Sequence, residues 1–462
     1  MEGILMRDYM ILSTDFTLKG SHEEQVLLHL AGGEKYELTR DQYDLLCLFD
    51  GSFTLSQIHS QYDRASQIVI EKFLARLNKL GAITSSSKRG QRKAQRKLVS
   101  SPRLKNVQLE ATSVCNLSCA HCYQASMYPV YKNITRADCD ELIAQLSTMQ
   151  VEGVSISGGE PLLDSKTIHL AHEVERNDMR VTSLFTNGLL LDKDIAAEIS
   201  SWRSQPTIFI SLDTLVPENF RFRSIQRKAA KIALGRVFDG ITMITSKGLP
   251  IVINTAVNQC NLSKLFDMHE YIKNLGIASW RLGFPKRTGN FRDSYHDLEV
   301  PWDNLLSASF ALLRHHLECG NPFHIQIEYL YRDELFADMA MLPDSSYVCD
   351  YEGRRNSCCI KPNGDVVSCA YCSKMPLGNI LIQRMESIWY SGSMQSIKNM
   401  RICDVTECCD CTLRGYCAAG CRANASFLGG DFKTSKDPYA CQAVRYFVDQ
   451  VLPYLRQQGI AK

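Results

Sequence analysis

The chain has 462 residues, is 45% hydrophobic and 22% charged, and carries a formal net charge of +2. That length suits about two to four domains, and that charge gives no overall field for nucleic acid or membrane. No long uncharged apolar run occurs, and the first eight residues lack the basic, apolar and small-residue order of a signal peptide, so a cytoplasmic location is expected.

The 19 cysteines are the compositional outlier. In a large chain without a secretion signal they read as metal or redox ligands rather than as disulfides. Only Cys47 precedes position 115, and twelve fall between Cys349 and Cys441.

Residues 9–12, 25–30 and 35–38 read as short strands. Thr39 is placed to cap a helix over 40–49, which Asp50-Gly51 breaks, and Thr54-Leu55-Ser56-Gln57-Ile58 starts a second. Ser66 opens a third, with Ile68, Ile70, Phe73, Leu74, Leu77 and Leu80 at helical spacing. Gly81-Ala82-Ile83-Thr84 closes with an extended piece. Three strands followed by three helices describe a winged-helix-like α+β module over 1–85. A DNA-binding helix-turn-helix shares that outline, but the third helix offers few base-reading side chains and the unit is not basic on balance. The runs Tyr43-Asp44-Leu45-Leu46, Phe49-Asp50-Gly51-Ser52, Thr54-Leu55 and Gly81-Ala82-Ile83 resemble the precursor-peptide recognition element of enzymes that modify ribosomal peptides. That resemblance implies a leader peptide taken up as an added strand at an open sheet edge. Residues 86–104 follow as a linker, polar and basic around Lys88–Lys97 and without an apolar period.

After an alternating segment over 107–112 comes Cys115-Asn116-Leu117-Ser118-Cys119-Ala120-His121-Cys122, a C-x3-C-x2-C run. Three thiolates on one loop can hold three corners of an iron–sulfur cube and leave the fourth iron open. The other readings are a packed cysteine loop or a zinc site, although zinc ligands more often come as paired C-x2-C knuckles.

Strand and helix signals alternate from there to about residue 310. Strands are expected over 154–157, 180–185, 207–213, 251–258 and 279–285, with helices over 168–174 and 195–200 among those between them. This pattern predicts a parallel sheet with right-handed crossovers and ligands at the strands' C-terminal ends. The unusual residues lie there: Gly158-Gly159-Glu160-Pro161, Thr186-Asn187-Gly188, Ser211-Leu212-Asp213, Asn258, and Arg281 with Pro285 and Gly289. Cys139, Cys260 and Cys319 read as buried or incidental thiols, and His315-His316 fits an amphipathic helix over 305–317 better than a metal site.

The triplet and the ordered strand ends resemble the radical S-adenosylmethionine (radical SAM) enzymes, whose fold is a partial (β/α)6 barrel. The resemblance implies a cluster on Cys115, Cys119 and Cys122. It also implies contacts to S-adenosylmethionine from His121, Gly158, Gly159, Glu160, Asn187, Ser211, Asp213, Asn258 and Arg281, with Glu160 receiving the ammonium group. One departure is the stretch after Asp213, residues 214–223, which differs from the His-Asp…Arg-Gly stretch of many relatives.

In the C-terminal quarter, Cys349 is followed by fourteen residues, then Gly364, four more and Cys369. Cys408, Cys411, Cys417 and Cys421 form C-x2-C-x5-C-x3-C, and Cys441 follows. Residues 360–367 form a hairpin turned by Pro362-Asn363-Gly364. Seven thiols in this order resemble the SPASM domain, which binds auxiliary clusters. The resemblance implies one cluster on Cys408, Cys411, Cys417 and Cys441. A second would take Cys349, Cys369 and Cys421, with Cys358 and Cys359 as candidates for its fourth ligand unless that iron stays open. Cys372, Cys403 and Cys409 receive no role.

The expected fold is α/β: a recognition module over 1–85, a linker over 86–104, a barrel over 105–310, a bridging segment over 311–345 and a SPASM domain over 346–462. The expected cofactors are three [4Fe–4S] clusters, one of them binding S-adenosylmethionine, and S-adenosylmethionine itself. The expected partners are a precursor peptide bound through its leader and an electron donor such as flavodoxin or ferredoxin, with neither nucleic acid nor membrane. By resemblance the chain is a radical SAM maturase of a ribosomal peptide. It would generate a 5′-deoxyadenosyl radical, abstract hydrogen from the peptide and install thioether crosslinks of the sactipeptide or ranthipeptide type. The alternatives are a carbon–carbon crosslinking cyclase, side-chain oxidation as in sulfatase maturation, and a cluster-bearing DNA- or peptide-binding regulator. No catalytic acid or base is assigned.

Overall fold

The structure, a computed structural model, describes residues 6–90, 98–124, 133–223, 227–332, 341–349 and 351–461. The expected linker's centre (91–97), the first five residues of the recognition module and residues 333–340 of the bridging segment therefore lie outside the described residues.

The N-terminal module has its own apolar core, built on residues such as Met10, Leu27, Leu46, Phe49, Ile58 and Leu74. Its strands are β1 (Tyr9–Leu12), β2 (Phe16–Gly20), β3 (Gln25–His29), β4 (Lys35–Glu37), β5 (Asp50–Thr54) and β6 (Ile83–Ser86). They form two three-stranded sheets, β5-β1-β6 and β2-β3-β4. The expected order of three strands and then three helices is thus too simple. β2 was not foreseen, and Asp50-Gly51, read as a helix breaker, also opens β5. Thr39 caps the helix Arg40–Cys47 with a capping box, and Thr54 does the same for Leu55–His59. The third helix begins two residues earlier than expected, at Arg64, because Asp63 accepts from the Ser66 N–H.

The barrel strands are β7 (Asn106–Glu110), β8 (Gly153–Ser157), β9 (Arg180–Thr186), β10 (Thr207–Ser211), β11 (Ile251–Ala256), β12 (Ser279–Gly283) and β13 (His324–Ile327). All seven run parallel in chain order. The five expected strands and the alternating segment over 107–112 are present as strands, and β13 adds a seventh from the stretch expected only to bridge. The expected boundary at 310 falls inside the helix Trp302–Glu318. β14 (Tyr331–Arg332) turns back on β13.

The other edge of the sheet is closed by the cysteine-rich region. Its strands are β15 (Ser357–Ile360), β16 (Asp365–Val367) and β17 (Gly378–Asn379). β15 pairs in parallel with β7, setting Ile360 against Leu109, so one eleven-stranded sheet spans both regions. Gly364, at φ +88°, makes the hairpin turn. The main core follows the same continuity, joining Leu109, Ile156 and Ile210 of the barrel to Cys358, Ile360 and Trp389. No helix among the described residues is long and apolar enough to cross a membrane.

Candidate active site

The cysteine triplet sits on the loop that leaves the C-terminal end of β7, and its neighbours hold that loop from three sides. The Ala120 N–H donates to the Phe222 carbonyl at 2.7 Å. The Asn290 N–H donates to the Cys122 carbonyl at 2.8 Å, and its side-chain amide donates to the Cys119 carbonyl at 2.9 Å. The Ser294 hydroxyl donates to the Ala120 carbonyl at 2.6 Å. Gly289 has φ +59°, and a Cβ there would lie 2.3 Å from the Cys122 oxygen, so glycine is required for this approach.

The Gly158-Gly159 turn presses on the same loop from the barrel side. A Cβ on Gly158 would lie 2.6 Å from the Thr112 oxygen, and one on Gly159 would lie 2.3 Å from the Val114 oxygen. The space the glycines leave is taken by the chain leading into Cys115. Glu160 is fully buried. Its Oε1 accepts from the Thr186 hydroxyl at 2.8 Å and the Leu162 N–H at 3.2 Å, and its Oε2 accepts from the Asn187 N–H at 2.7 Å. Burial outweighs these bonds and raises its pKa. The Asn187 amide donates to Asn116 Oδ1 at 2.7 Å and lies 4.0 Å from Cys115 Sγ, which ties the third expected strand end to the triplet.

Ser211 ends β10, and Asp213 lies just beyond it. Asp213 Oδ2 accepts from Arg223 Nε at 2.7 Å and also from an Arg223 terminal nitrogen, while Oδ1 accepts from the Ala256 N–H at 2.7 Å. Both partners of this ion pair are buried. Arg223 comes from the loop whose sequence departs from the family pattern, and only folding shows what it meets. His121 Nε2 lies 3.7 Å from Asp213 Oδ2, and its ring centre lies 5.4 Å from that of Phe222. Burial pushes the His121 pKa down to about 4, so the ring is neutral at pH 7. Asn258 is buried and closes its own turn: its amide donates to the Ala256 carbonyl and its oxygen accepts from the Cys260 N–H, both at 2.9 Å. Arg281 on β12 acts electrostatically on Glu328 and Tyr371.

A buried polar lining that the sequence reading missed joins the triplet to the C-terminal thiols. The β15–β7 register sets Lys361 beside Glu110, with Nζ 2.6 Å from Oε1 and both side chains fully buried. The Tyr123 hydroxyl donates to the same Oε1 at 3.2 Å, and the Cys359 thiol lies 3.6 Å from it. The rings of Tyr123 and Tyr371 are 5.1 Å apart. On the far side Lys286 pairs with Glu328 at 2.5 Å, whose Oε2 accepts from the Phe284 N–H. The one sequence signal was position, because Glu110 ends the alternating segment before the triplet and Lys361 opens the hairpin turn.

The C-terminal thiols gather into two groups. Cys408, Cys411, Cys417 and Cys441 act on one another electrostatically. Cys349, Cys369 and Cys421 form the second group, and the Cys372 thiol makes a hydrogen bond with Cys369. Of the two residues expected to offer that group a fourth ligand, Cys358 packs into the main core, and Cys359 lies on the opposite face, near Glu110 and in the same packed cluster as Cys369, Cys372 and Cys421. Cys403 and Cys409 are exposed. Cys417 and Cys421 can serve different groups because Ala418, Ala419 and Gly420 all adopt left-handed φ between them, at +46°, +60° and +72°. Consecutive non-glycine residues in that region are costly and gather at functional sites. Asp437 Oδ2 accepts from the Cys421 N–H at 2.9 Å, and Asp437 caps the helix Pro438–Tyr446 that bears Cys441. Burial pushes Cys119, Cys417 and Cys421 up to about 12, and Cys119 also sits among its partners Cys115 and Cys122. A metal that replaces the protons removes the cost of three or four thiols sharing one buried spot, so the donor sets fit iron–sulfur clusters.

Comparisons with known proteins agree with this geometry. The Radical SAM superfamily model matches residues 109–261, and the SPASM iron–sulfur cluster-binding domain model matches residues 349–412. A probable GTP 3′,8-cyclase of Methanothermobacter thermautotrophicus is 32% identical over 37% of this chain, and the match spans only 55% of that relative. The antilisterial bacteriocin subtilosin biosynthesis protein AlbA of Bacillus subtilis is 24% identical over 84% of each chain. Streptococcus suis SuiB, solved with its precursor peptide SuiA, shares the fold with a TM-score of 0.67 at 16% identity, over 93% of this chain and 99% of that one. The two domains imply [4Fe–4S] clusters and S-adenosylmethionine as cofactors. With its triplet at the C-terminal end of a parallel sheet and its two further thiol groups beside it, this chain carries a radical SAM domain over residues 109–261 and a SPASM domain over residues 349–412.

Proposed function

We propose that the chain is a radical SAM maturase of a ribosomally synthesised peptide, joining a substrate cysteine sulfur to a carbon of a second residue. The observation that supports this most is architectural. A separately cored N-terminal module, a barrel and a two-group thiol domain follow the fold of a protein solved with its precursor peptide. The match to a bacteriocin biosynthesis protein over 84% of both chains points the same way. Units at 1–85, 86–104, 105–310 and 346–462, with 311–345 adding β13 to the barrel, are the working division.

Cys115, Cys119 and Cys122 would hold the cluster that binds S-adenosylmethionine. When bound, that pair supplies a 5′-deoxyadenosyl radical, which is the cofactor's own chemistry. Glu160, locked by three donors, would receive the methionyl ammonium. Asn187 sits between that carboxylate and Cys115. Neutral His121, backed by Phe222, offers a ring face for adenine, and the Arg223–Asp213 pair holds it in place. Gly158 and Gly159 keep the turn closed on the triplet loop. Ser211 and Arg281, half-buried on β10 and β12, would contact the cofactor, and Asn258 shapes the turn beside Asp213. Cys408, Cys411, Cys417 and Cys441 would hold one auxiliary cluster. Cys349, Cys369 and Cys421 would hold the other, with Cys359 or Cys372 as fourth ligand. The buried lining of Glu110, Lys361, Tyr123 and Tyr371 keeps bulk water from the space between. A flavodoxin or ferredoxin would serve as electron donor.

The test is anaerobic reaction of the cluster-loaded protein with S-adenosylmethionine, a reductant and a precursor peptide with a cysteine-bearing core. The expected products are 5′-deoxyadenosine and a peptide that has lost two hydrogens per crosslink and no longer alkylates at the joined cysteine. Retention of every substrate hydrogen overturns the proposal. Loss of hydrogen with all thiols still alkylated moves the new bond to carbon–carbon.

A further inference from the structure

The helices Leu265–Ile272 and Trp302–Glu318 flank β12 and the loop that clamps the triplet. They bring together four side chains that no cluster uses. His269 and Glu270 lie near the end of the first helix. His315 and Cys319 lie one turn apart on the second, so they share a face. Glu270 Oε1 is 3.2 Å from His269 Nδ1 and 3.0 Å from His315 Nε2, and His315 Nε2 is 3.7 Å from Cys319 Sγ. All four donor atoms fall within 4.8 Å of one another.

We propose that His269, Glu270, His315 and Cys319 form a structural zinc site on the outside of the barrel. Zinc bonds of about 2.0–2.1 Å to nitrogen or oxygen and about 2.3 Å to sulfur put tetrahedral ligands roughly 3.3–3.7 Å apart, close to the spacings found here. The donor set of two imidazoles, one carboxylate and one thiolate suits this metal, and one carboxylate with one thiolate balances its charge. His269 Nε2 lies 3.0 Å from His316 Nδ1, a partner on the remote ring nitrogen that leaves Nδ1 turned to the site. His269 is fully buried while the side chains of His315 and Glu270 are 32% and 46% exposed, so the site has a floor and an entry. Four protein donors close the coordination sphere, which marks a structural rather than a catalytic ion. Bound there, the ion pins the two helices to each other at their C-terminal ends. The competing reading is an ion-pair network in which Lys273 pairs with the other Glu270 oxygen.

The sequence fits His315-His316 to an amphipathic helix, solvent-facing or at the core edge, rather than to a metal site, and Cys319 to a buried or incidental thiol. Cys319 is exposed, and its partners His269 and Glu270 come from a different helix. The cluster-loaded protein is to be equilibrated with zinc chloride, gel-filtered and assayed for zinc and iron. Wild type should retain one zinc per chain with about three nitrogen or oxygen neighbours and one sulfur by X-ray absorption, and its Tm should rise with zinc. His315→Ala and Cys319→Ser, both at accessible positions, should lose that zinc and the Tm response while keeping full iron. An all-sulfur shell, zinc retained in both variants or no zinc in wild type overturns the proposal.

Discussion

The N-terminal module meets the barrel through charges and carbonyls, whereas the C-terminal domain adds strands to the barrel sheet itself. Lys35 of β4 pairs with Glu152 at 2.5 Å, and Glu24 pairs with Lys105 at 2.6 Å. Arg180 donates to the carbonyls of Leu30 and Ala31, and Gln150 accepts from the Gly20 N–H. Glu152, Arg180 and Lys105 all sit at the N-terminal ends of barrel strands, opposite the cysteine triplet. The module is therefore a docked body at the base. The C-terminal domain, by contrast, shares hydrogen bonds and core with the catalytic half. One flank is a separately cored body docked by polar contacts, and the other is part of the barrel sheet itself.

Truncation should separate the two most sharply. A chain beginning at Val99 should keep a cooperative thermal transition and bind iron, because the module's core is its own. A chain ending at Pro343 loses β15 and bares the β7 edge, and it should aggregate in gel filtration. Equal behaviour of the two truncations would break the comparison.

A smaller effect is expected at the shared sheet. Lys361→Met leaves the Glu110 carboxylate buried without its cation, which should cost about 3–5 kcal/mol in denaturant unfolding. The double variant Lys361→Met with Glu110→Gln should recover much of that loss, since no charge then remains buried. A single variant as stable as wild type would mean that the pair does not join the two regions.

The smallest effect is a pH response at the docked flank. Burial works against the Glu152 carboxylate, but Arg103 and Lys35 hold its pKa below the usual 4.5. A carboxylate depressed in the folded state adds stability that is complete above its unfolded value and is lost as pH falls through the folded one. Proteolysis between the module and the barrel should therefore stay constant from neutral pH to about pH 5 and accelerate below about pH 4. A flat rate down to pH 3 would show that the contact does not hold the module in place.

Much of the site was legible because cluster chemistry fixes spacing in the chain. Cys115, Cys119 and Cys122 lie on one loop, and Cys408, Cys411 and Cys417 lie on another, so local sequence names them. The strand series was legible because fully buried parallel strands read as short apolar runs ended by turns. Ion pairs across elements left no such mark. Nothing near Asp213 in the chain marks its pairing with Arg223, and nothing near Glu110 marks Lys361, which β15 sets beside it.

The sequence by itself determined the local thiol runs Cys115–Cys122 and Cys408–Cys421, the order of the barrel strands and the family resemblance. Each rests on residues near one another in the chain or on a repeating period. Only the tertiary structure decided that Cys372 joins Cys369 while Cys358 faces the core, that β13 and β15 extend the barrel sheet, that the N-terminal module docks at its base, and that His269 and Glu270 meet His315 and Cys319. Those outcomes depend on strand register and helix packing between distant segments, where one residue of slip exchanges a ligand for a core side chain.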